Sequence, residues 1–350
     1  MTESGRTAGP RPPSTLHDVA REAGVSLATA SRALNGSTRK VNELLRQRVL
    51  TAASKLDYSP NLSAQAVARG TSMTVALLVA DIADPYYSQI AAGVVGEADH
   101  EGLLVTMAAT ERDAVRELDL VRSLRGQRPR VMILAASGRD AGPTSDALAG
   151  ELRAFEANGG RVAFISTDEL PFRTVRLDHT TGGEALAHAL VGAGYRRFAA
   201  ITGAAHLRTP GDRLTGFVAG LAASGLAIDP DRIVRTGITR DGGYDGMRTL
   251  IERELGDTEV VFAVNDVMAV GAMSAIRDAG LVPGRDVAVA GFDDIPTARD
   301  VTPPLTTVRI PLEEVGRRAL RLALGEAIET DELPVPIEVV LRESTPVRPR

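Results

Sequence analysis

Two stretches of this 350-residue chain hold residues whose types and spacing could do chemistry. The first is VSLATASRALNG, Val25 to Gly36. Ser26 is a natural N-cap, and Ala30, Ala33 and Leu34 share one helical face by their i, i+3, i+4 spacing. That leaves Leu27 and Ala28 outside in the first turn, on the side that carries Thr29, Ser31, Arg32 and Asn35. Apolar atoms there can meet thymine methyl groups, while hydroxyls, the guanidinium and the amide reach bases or phosphates. The competing reading is an ordinary helical hairpin with Leu27 packed on a neighbour. The second stretch is Asp293-Asp294, imaginable as a catalytic or metal-binding pair. Adjacent residues on a strand point apart, so capping and hydrogen bonding to a ligand suit it better.

Other chemistries find no residues. The only lysines are Lys40 and Lys55, so no G-x-x-x-x-G-K-[ST] loop exists, and no G-x-S-x-G elbow is present. GAGYRR and GGYDG read as helix-ending turns. The chain has no Cys, which excludes disulfides and thiolate metal sites, and His179 and His188 are wrongly spaced for one helical face. The expectation is no catalytic site, no metal and no cofactor.

The elements that must position the first stretch are short helices. One opens with the box Thr15-x-x-Asp18 and runs to about Ala23. Gly24-Val25-Ser26 makes a tight turn into the second helix, which Asn35-Gly36 ends. A loop with Arg39 and Lys40 leads to a third helix near Asn42–Leu56. Helix, glycine-containing turn, helix is the helix-turn-helix pattern, whose second helix enters the major groove. SPNLSAQAVARG then reads as one short helical segment between Pro60 and Gly70.

From Thr74 the rhythm changes to strand, helix, strand. TVALLVA, LLVTMAA, RVMILAA, RVAFIS, RFAAITG, EVVFAVN and VAVAGF are nearly continuous apolar runs, each followed by a longer helical segment. Strands buried on both faces belong to parallel sheets covered by helices. With LTTVRI and IEVVLRES they exceed one comfortable sheet. The predicted architecture is an all-α head and an α/β body of two doubly wound parallel-sheet lobes, with ligands bound between them.

Charge divides the chain in the same place. Residues 1–70 carry ten Lys/Arg against five Asp/Glu, a net +5. The remaining thirty and forty give the rest −10. A basic head on an acidic body suggests that only the head meets a polyanion. The polar, proline-rich start has no apolar signal region, and no apolar run reaches membrane length. The expectation is a cytoplasmic protein with no membrane partner.

TLHDVAREAGVSLATASRALNG resembles the DNA-binding head of the lac repressor family (LacI/GalR). The likeness continues through VNELLRQRVLTAASKLDYSPN, DPYYSQIAAGV, RLTGF, VNDVMAVGAM, GFDD, PPLTTV and RES, in that family's order, from about Thr15 to Thr345. It implies a dimeric transcription regulator whose body is like periplasmic sugar-binding proteins. The DNA-facing set it implies is His17, Ser26, Leu27, Ala28, Thr29, Ser31, Arg32 and Asn35, with Arg39 and Lys40 at phosphates. The loop holding the last two is one residue longer than in the family's prototype.

The same resemblance makes the segment after the third helix a hinge that orders on operator DNA and enters the minor groove with its partner. Asn61, Ala64 and Val67 belong to it, and Val67 stands at the wedge position, more often Leu. In the body, Arg213, Asn265 and Asp293 match effector-contacting positions, where fork, amide and carboxylate satisfy vicinal hydroxyls. Tyr86 and Tyr87 match ring-contacting positions, with one of them expected in the core. Ser166 replaces an Asp of several relatives, so no relative's sugar or purine specificity carries over. Asp266 is read as the cap of the following helix, and Asn265 alone would also be read as a cap.

The expected organisation is a disordered tail at 1–13, a helix-turn-helix domain at 14–59 and a hinge helix at 60–71. An effector-binding and dimerisation domain follows at 72–345, its first lobe about 72–175 and 310–328, its second about 176–309 and 329–345. The function expected is a regulator, specifically a repressor, working as a homodimer on double-stranded operator DNA under a small, sugar-like effector. The alternative is a sugar-binding module without DNA function.

Overall fold

The computed structural model describes residues 14–35, 41–59, 71–135, 143–166, 171–325 and 335–348. The chain divides into two compact units, Met1–Gly70 and Thr71–Arg350. The tail at 1–13, Arg39, Lys40 and the hinge residues Asn61, Ala64 and Val67 lie outside the described residues.

The first unit holds α1 (Leu16–Ala23), α2 (Leu27–Asn35) and α3 (Glu43–Lys55). The capping box at Thr15 and Asp18 forms as its sequence implies, satisfying N–H groups that the first turn leaves orphaned. Gly24 ends α1 at φ +62°, a left-handed conformation that costs glycine least. Val19, Ala20 and Ala23 of α1 meet Ala30 and Ala33 of α2 and Val49, Ala52 and Ala53 of α3 in a small core.

The second unit alternates strands and helices. Its first lobe contains β1 (Thr74–Val79), α4 (Pro85–His100), β2 (Leu104–Ala109), α5 (Ala114–Gly126), β3 (Val131–Leu134), α6 (Pro143–Ala157), β4 (Arg161–Ser166) and β5 (Arg173–Arg176). The sheet order is β2-β1-β3-β4-β5, all parallel. Val75 to Val79 of β1 are buried, as a central strand covered on both faces requires.

The second lobe contains α7 (His179–Gly192), β6 (Phe198–Thr202), α8 (Arg208–Ala223), β7 (Ile233–Arg235), α9 (Arg240–Glu252), β8 (Val260–Ala263), α10 (Asp266–Asp278), β9 (Ala288–Ala290) and the short α11 (Thr297–Asp300). Its sheet runs β7-β6-β8-β9, again parallel. Phe217 of α8 stacks on Phe262 of β8 at 4.4 Å and meets Phe198 of β6 edge-on. Burying each such ring contributes about 1.5–3 kcal/mol.

Among the described residues three elements close the chain: β10 (Thr307–Arg309), α12 (Leu312–Leu324) and β11 (Glu338–Val340). α12 returns to the first lobe and packs on α4 and on β3, β4 and β5. The two helices touch backbone to backbone. A Cβ on Gly93 would come 1.9 Å from the Glu313 carbonyl, and one on Gly316 would come 2.1 Å from that of Ile90. β10 and β11 lie against α7 and pair antiparallel, a departure from the all-parallel expectation. Two further strands, β5 and β7, had not been anticipated. Among the described residues no helix is long and apolar enough to cross a membrane.

Candidate functional site

In the head, Ser26 caps α2 as expected: its hydroxyl accepts from the Thr29 N–H at 3.1 Å. With Ala30 and Ala33 in the core, the first turn points Leu27 outward, 38 % exposed, beside exposed Ala28. Thr29 and Ser31 are half-buried and Arg32 is exposed, its Nε donating to the Ala28 carbonyl at 3.0 Å. His17 is exposed on α1, and Asn35 is the last residue of α2. All the described DNA-facing candidates thus come from α1, α2 and the turn between them.

The body holds a cleft lined from both lobes. Asp84, Tyr86, Tyr87, Arg112 and Ser166 come from the first, and His179, Thr209, Arg213, Asn265 and Asp293 from the second. All six residues expected at the effector are there. Their side chains reach it because the β strands end at the cleft: β4 at Ser166, β2 shortly before Arg112, β8 shortly before Asn265.

Arg213 and Asp293 differ from expectation in one respect. They are not two independent hydrogen-bonding groups but a buried pair. Nη2 of Arg213 donates to Oδ1 of Asp293 at 2.6 Å and Nη1 to Oδ2 at 3.2 Å. Nη1 also donates to the Val264 carbonyl at 2.8 Å, and Nε to His179 Nδ1 at 3.4 Å. The guanidinium lies 4.2 Å from the Phe292 ring centre and 5.7 Å from that of Tyr86. Burial pushes the Asp293 carboxyl up to about 7, with Arg213 opposing and Asp84 adding to the rise. Burial also holds His179 well below its usual range, helped by Arg213, so it is neutral. Its Nδ1 accepts from Arg213, which leaves the proton on Nε2.

The raised Asp293 value has a sign. In the fold this carboxyl keeps its proton up to about pH 7, but the unfolded chain releases it near 3.8. Over that window the native state binds more protons, so stability falls as pH rises and levels off above 7. Asp293→Asn cannot titrate there. The stability difference between the two proteins, measured by urea unfolding at each pH, is expected to move against the unaltered chain from about pH 4 to about 7. A flat difference would contradict it.

Asp293 and Asp294 do diverge, but not as strand neighbours. They sit in the loop after β9 at φ +118° and +57°, conformations rare for residues with a side chain. Asp294 turns away from the cleft to Arg309 at 2.7 Å and Arg342 at 2.6 Å. Burial would raise its carboxyl, yet these two arginines hold it below the ordinary value.

The cap assignment is corrected. Asn265, not Asp266, caps α10, its Oδ1 accepting from the Met268 N–H at 3.0 Å. Asp266 is fully buried and accepts from the Thr307 hydroxyl at 2.6 Å and the Ile295 N–H at 2.9 Å. Burial, then the nearby Asp293, raise its carboxyl well above the ordinary value. Asp266→Ala therefore strands two buried donors rather than one cap, and is expected to destabilise by about 2–4 kcal/mol. A shift in urea midpoint corresponding to under 1 kcal/mol at unchanged slope would restore the capping role.

Tyr86 is buried and Tyr87 half-buried, yet both line the cleft, rings 4.9 Å apart and edge to face. Neither hydroxyl has a partner among the described residues, and burial raises both phenols. Sequence reasoning missed His179, Asp84 and Arg112. Arg112 follows the carboxyl end of β2 and could have been found by that position. His179 follows β5, a strand too polar to notice.

A glycine-turned helix pair with an exposed reading turn, followed by a two-lobed α/β body around a polar cleft, defines a DNA-binding regulator with a ligand-sensing domain. Comparison with known proteins agrees. Residues 15–61 match the bacterial regulatory proteins of the lacI family, and residues 187–345 match a periplasmic binding protein-like domain. The transcriptional regulator DegA of Bacillus subtilis is 30% identical over 95% of this chain and 98% of its own. A lac repressor dimer bound to operator and the anti-inducer ONPF superposes with TM-score 0.79 at 27% identity, covering 96% of this chain and all of that one. The regulator CelR in complex with cellobiose gives 0.66 at 30% identity, over 95% of this chain and all of that one. The chain belongs to the lacI family of bacterial regulatory proteins and is a transcriptional regulator, not an enzyme.

Proposed function

We propose that this regulator is a repressor acting as a homodimer on a roughly palindromic operator in the cytoplasm, controlled by a small carbohydrate-like effector. Residues 14–59 are the reading head and 60–71 the hinge. Residues 72–345 bind effector and partner, with lobes at about 72–175 and 310–328 and at about 176–309 and 329–345. Leu27 and Ala28 touch base edges, Ser26, Thr29, Ser31, Arg32 and Asn35 reach bases or backbone, and His17, Arg39 and Lys40 lie at phosphates. Asn61, Ala64 and Val67 enter the minor groove. Tyr86, Tyr87, Ser166, Arg213, Asn265 and Asp293 surround the effector.

One observation carries this reading: a single chain holds both an outward-facing Leu27 on a capped helix and a buried polar cleft between lobes. The lac repressor relative binds operator with a ligand, and the CelR relative binds cellobiose, which supports the same pairing here. Effector binding alters the lobe angle and with it the spacing of two hinges, so DNA and effector affinities are linked. Mobility shift on fragments flanking the gene tests the DNA half. A complex that survives excess random DNA is expected. Equal competition by random DNA would reduce the head to a non-specific polyanion binder.

A further inference from the structure

Once the cleft has paired its own charges, the groups it has left are mostly donors and hydroxyls. The Asp293 carboxyl is engaged by Arg213, and that of Asp84 accepts from the Tyr86 N–H at 3.0 Å. Asn265 uses its oxygen for the cap, so its amide N–H groups have no partner among the described residues, and neither has His179 Nε2–H. Asn265 is 4 % exposed and His179 2 %, and both line the cleft, so an acceptor placed there can meet these donors.

A second feature of the same wall points the same way. α8 begins in the cleft, where Leu207, Arg208, Thr209 and Pro210 all line it. Leu207 at its N-cap offers no side-chain hydrogen bond to the first turn. The N–H and hydroxyl of Thr209 find no partner among the described residues, at the positive end of a 16-residue helix. From the other lobe comes Arg112, whose Nη1 donates to Asp81 Oδ2 at 3.5 Å and whose Nη2 pairs with Asp84 Oδ2 at 3.7 Å, both long for charged contacts, so an incoming anion can compete for the guanidinium. A neutral polyol brings a donor with every hydroxyl, whereas an anionic group brings acceptors alone.

We propose that the effector is a carbohydrate bearing a carboxylate or phosphate, its anionic group at the first turn of α8 and Arg112, its ring at Tyr86 and Tyr87. This rests on the cleft being the effector site.

Thermal unfolding of the full chain tests it against three sets of probes. D-glucuronate and D-galacturonate form the carboxylate arm, and the 6-phosphates of D-glucose and D-galactose the phosphate arm. The neutral parents and inorganic phosphate are the controls. At millimolar concentration an acid in one arm is expected to raise the midpoint by several degrees while its parent does not, and the responding arm identifies the group. Arg112→Gln should weaken that acid at least about tenfold and Thr209→Val by about threefold. Neutral parents that stabilise as well as the acids would overturn the anionic group while leaving the cleft reading intact. Silence of both acid arms would overturn it as well. An acid that binds in this Arg112-dependent way but leaves operator affinity unchanged would keep the anion site and fail the regulatory reading instead.

Discussion

Arg213→Ala is expected to unfold at markedly lower denaturant and to lose effector binding together. Removing the guanidinium leaves the Asp293 carboxyl buried with no counter-charge, and takes a donor from the Val264 carbonyl and from His179. Breaking one side of a buried pair costs about 3–5 kcal/mol. Sequence reasoning alone would give a smaller loss confined to the effector, because it treats Arg213 as a fork open to the ligand. The cost depends on pH in a defined direction. Without Arg213 the Asp293 carboxyl rises further and takes up a proton instead of staying charged. The variant should therefore be nearest the unaltered protein near pH 5 and furthest from it near pH 8. Arg213→Ala combined with Asp293→Ala removes the stranded buried carboxyl, so the pair should recover part of the stability and none of the effector binding. Urea midpoints and calorimetric titration of the three proteins check this. If the double variant were less stable than the single by the full cost of Asp293→Ala, the two residues would not act as a pair.

Exchanging Leu27 and Ala28 is expected to change which operator is preferred rather than how tightly DNA of any sequence is held. Both side chains stand outside the head's core, in the first turn of α2. Their replacement by other small or apolar residues therefore leaves the fold of the three helices intact. Each altered base contact shifts affinity by about 1–3 kcal/mol, so the two together can move preference between sites by more than about a hundredfold. Binding-site selection with the double variant measures this. Recovery of the parental consensus would place the reading residues elsewhere.

The head was legible because local rules decide it. A capping box, a left-handed glycine and an N-cap serine each fix a backbone turn, and the alanine spacing fixes the inner face. The body's central strands were legible for a similar reason: burial on both faces writes a continuous apolar run such as that of β1. Edge strands are covered less and carry polar residues, so RTVR at β5 and IVR at β7 left no run to read. The antiparallel pair β10 and β11 depends on the chain returning from α12, which no local pattern records.

The site divides along the same line. Tyr86, Tyr87, Ser166, Arg213, Asn265 and Asp293 of the cleft followed from motif positions, whereas Asp84, Arg112 and His179 did not. What these residues bind in the folded chain did not follow either, because Arg213 and Asp293 are eighty residues apart in sequence. The same holds for Asp266, whose partners Ile295 and Thr307 come from two later loops and strands. A cap and a buried acceptor look alike when only the following helix is visible.

Linkage between the two halves of the molecule is the central claim, and reciprocal titration tests it most directly. Operator affinity is measured with and without saturating effector, and effector affinity with and without saturating operator. The account predicts that both ratios depart from one by the same factor, between about 5-fold and 150-fold, as a coupling free energy requires. An effector that occupies the cleft, loses affinity in Arg213→Ala, and yet leaves operator affinity unchanged would contradict it.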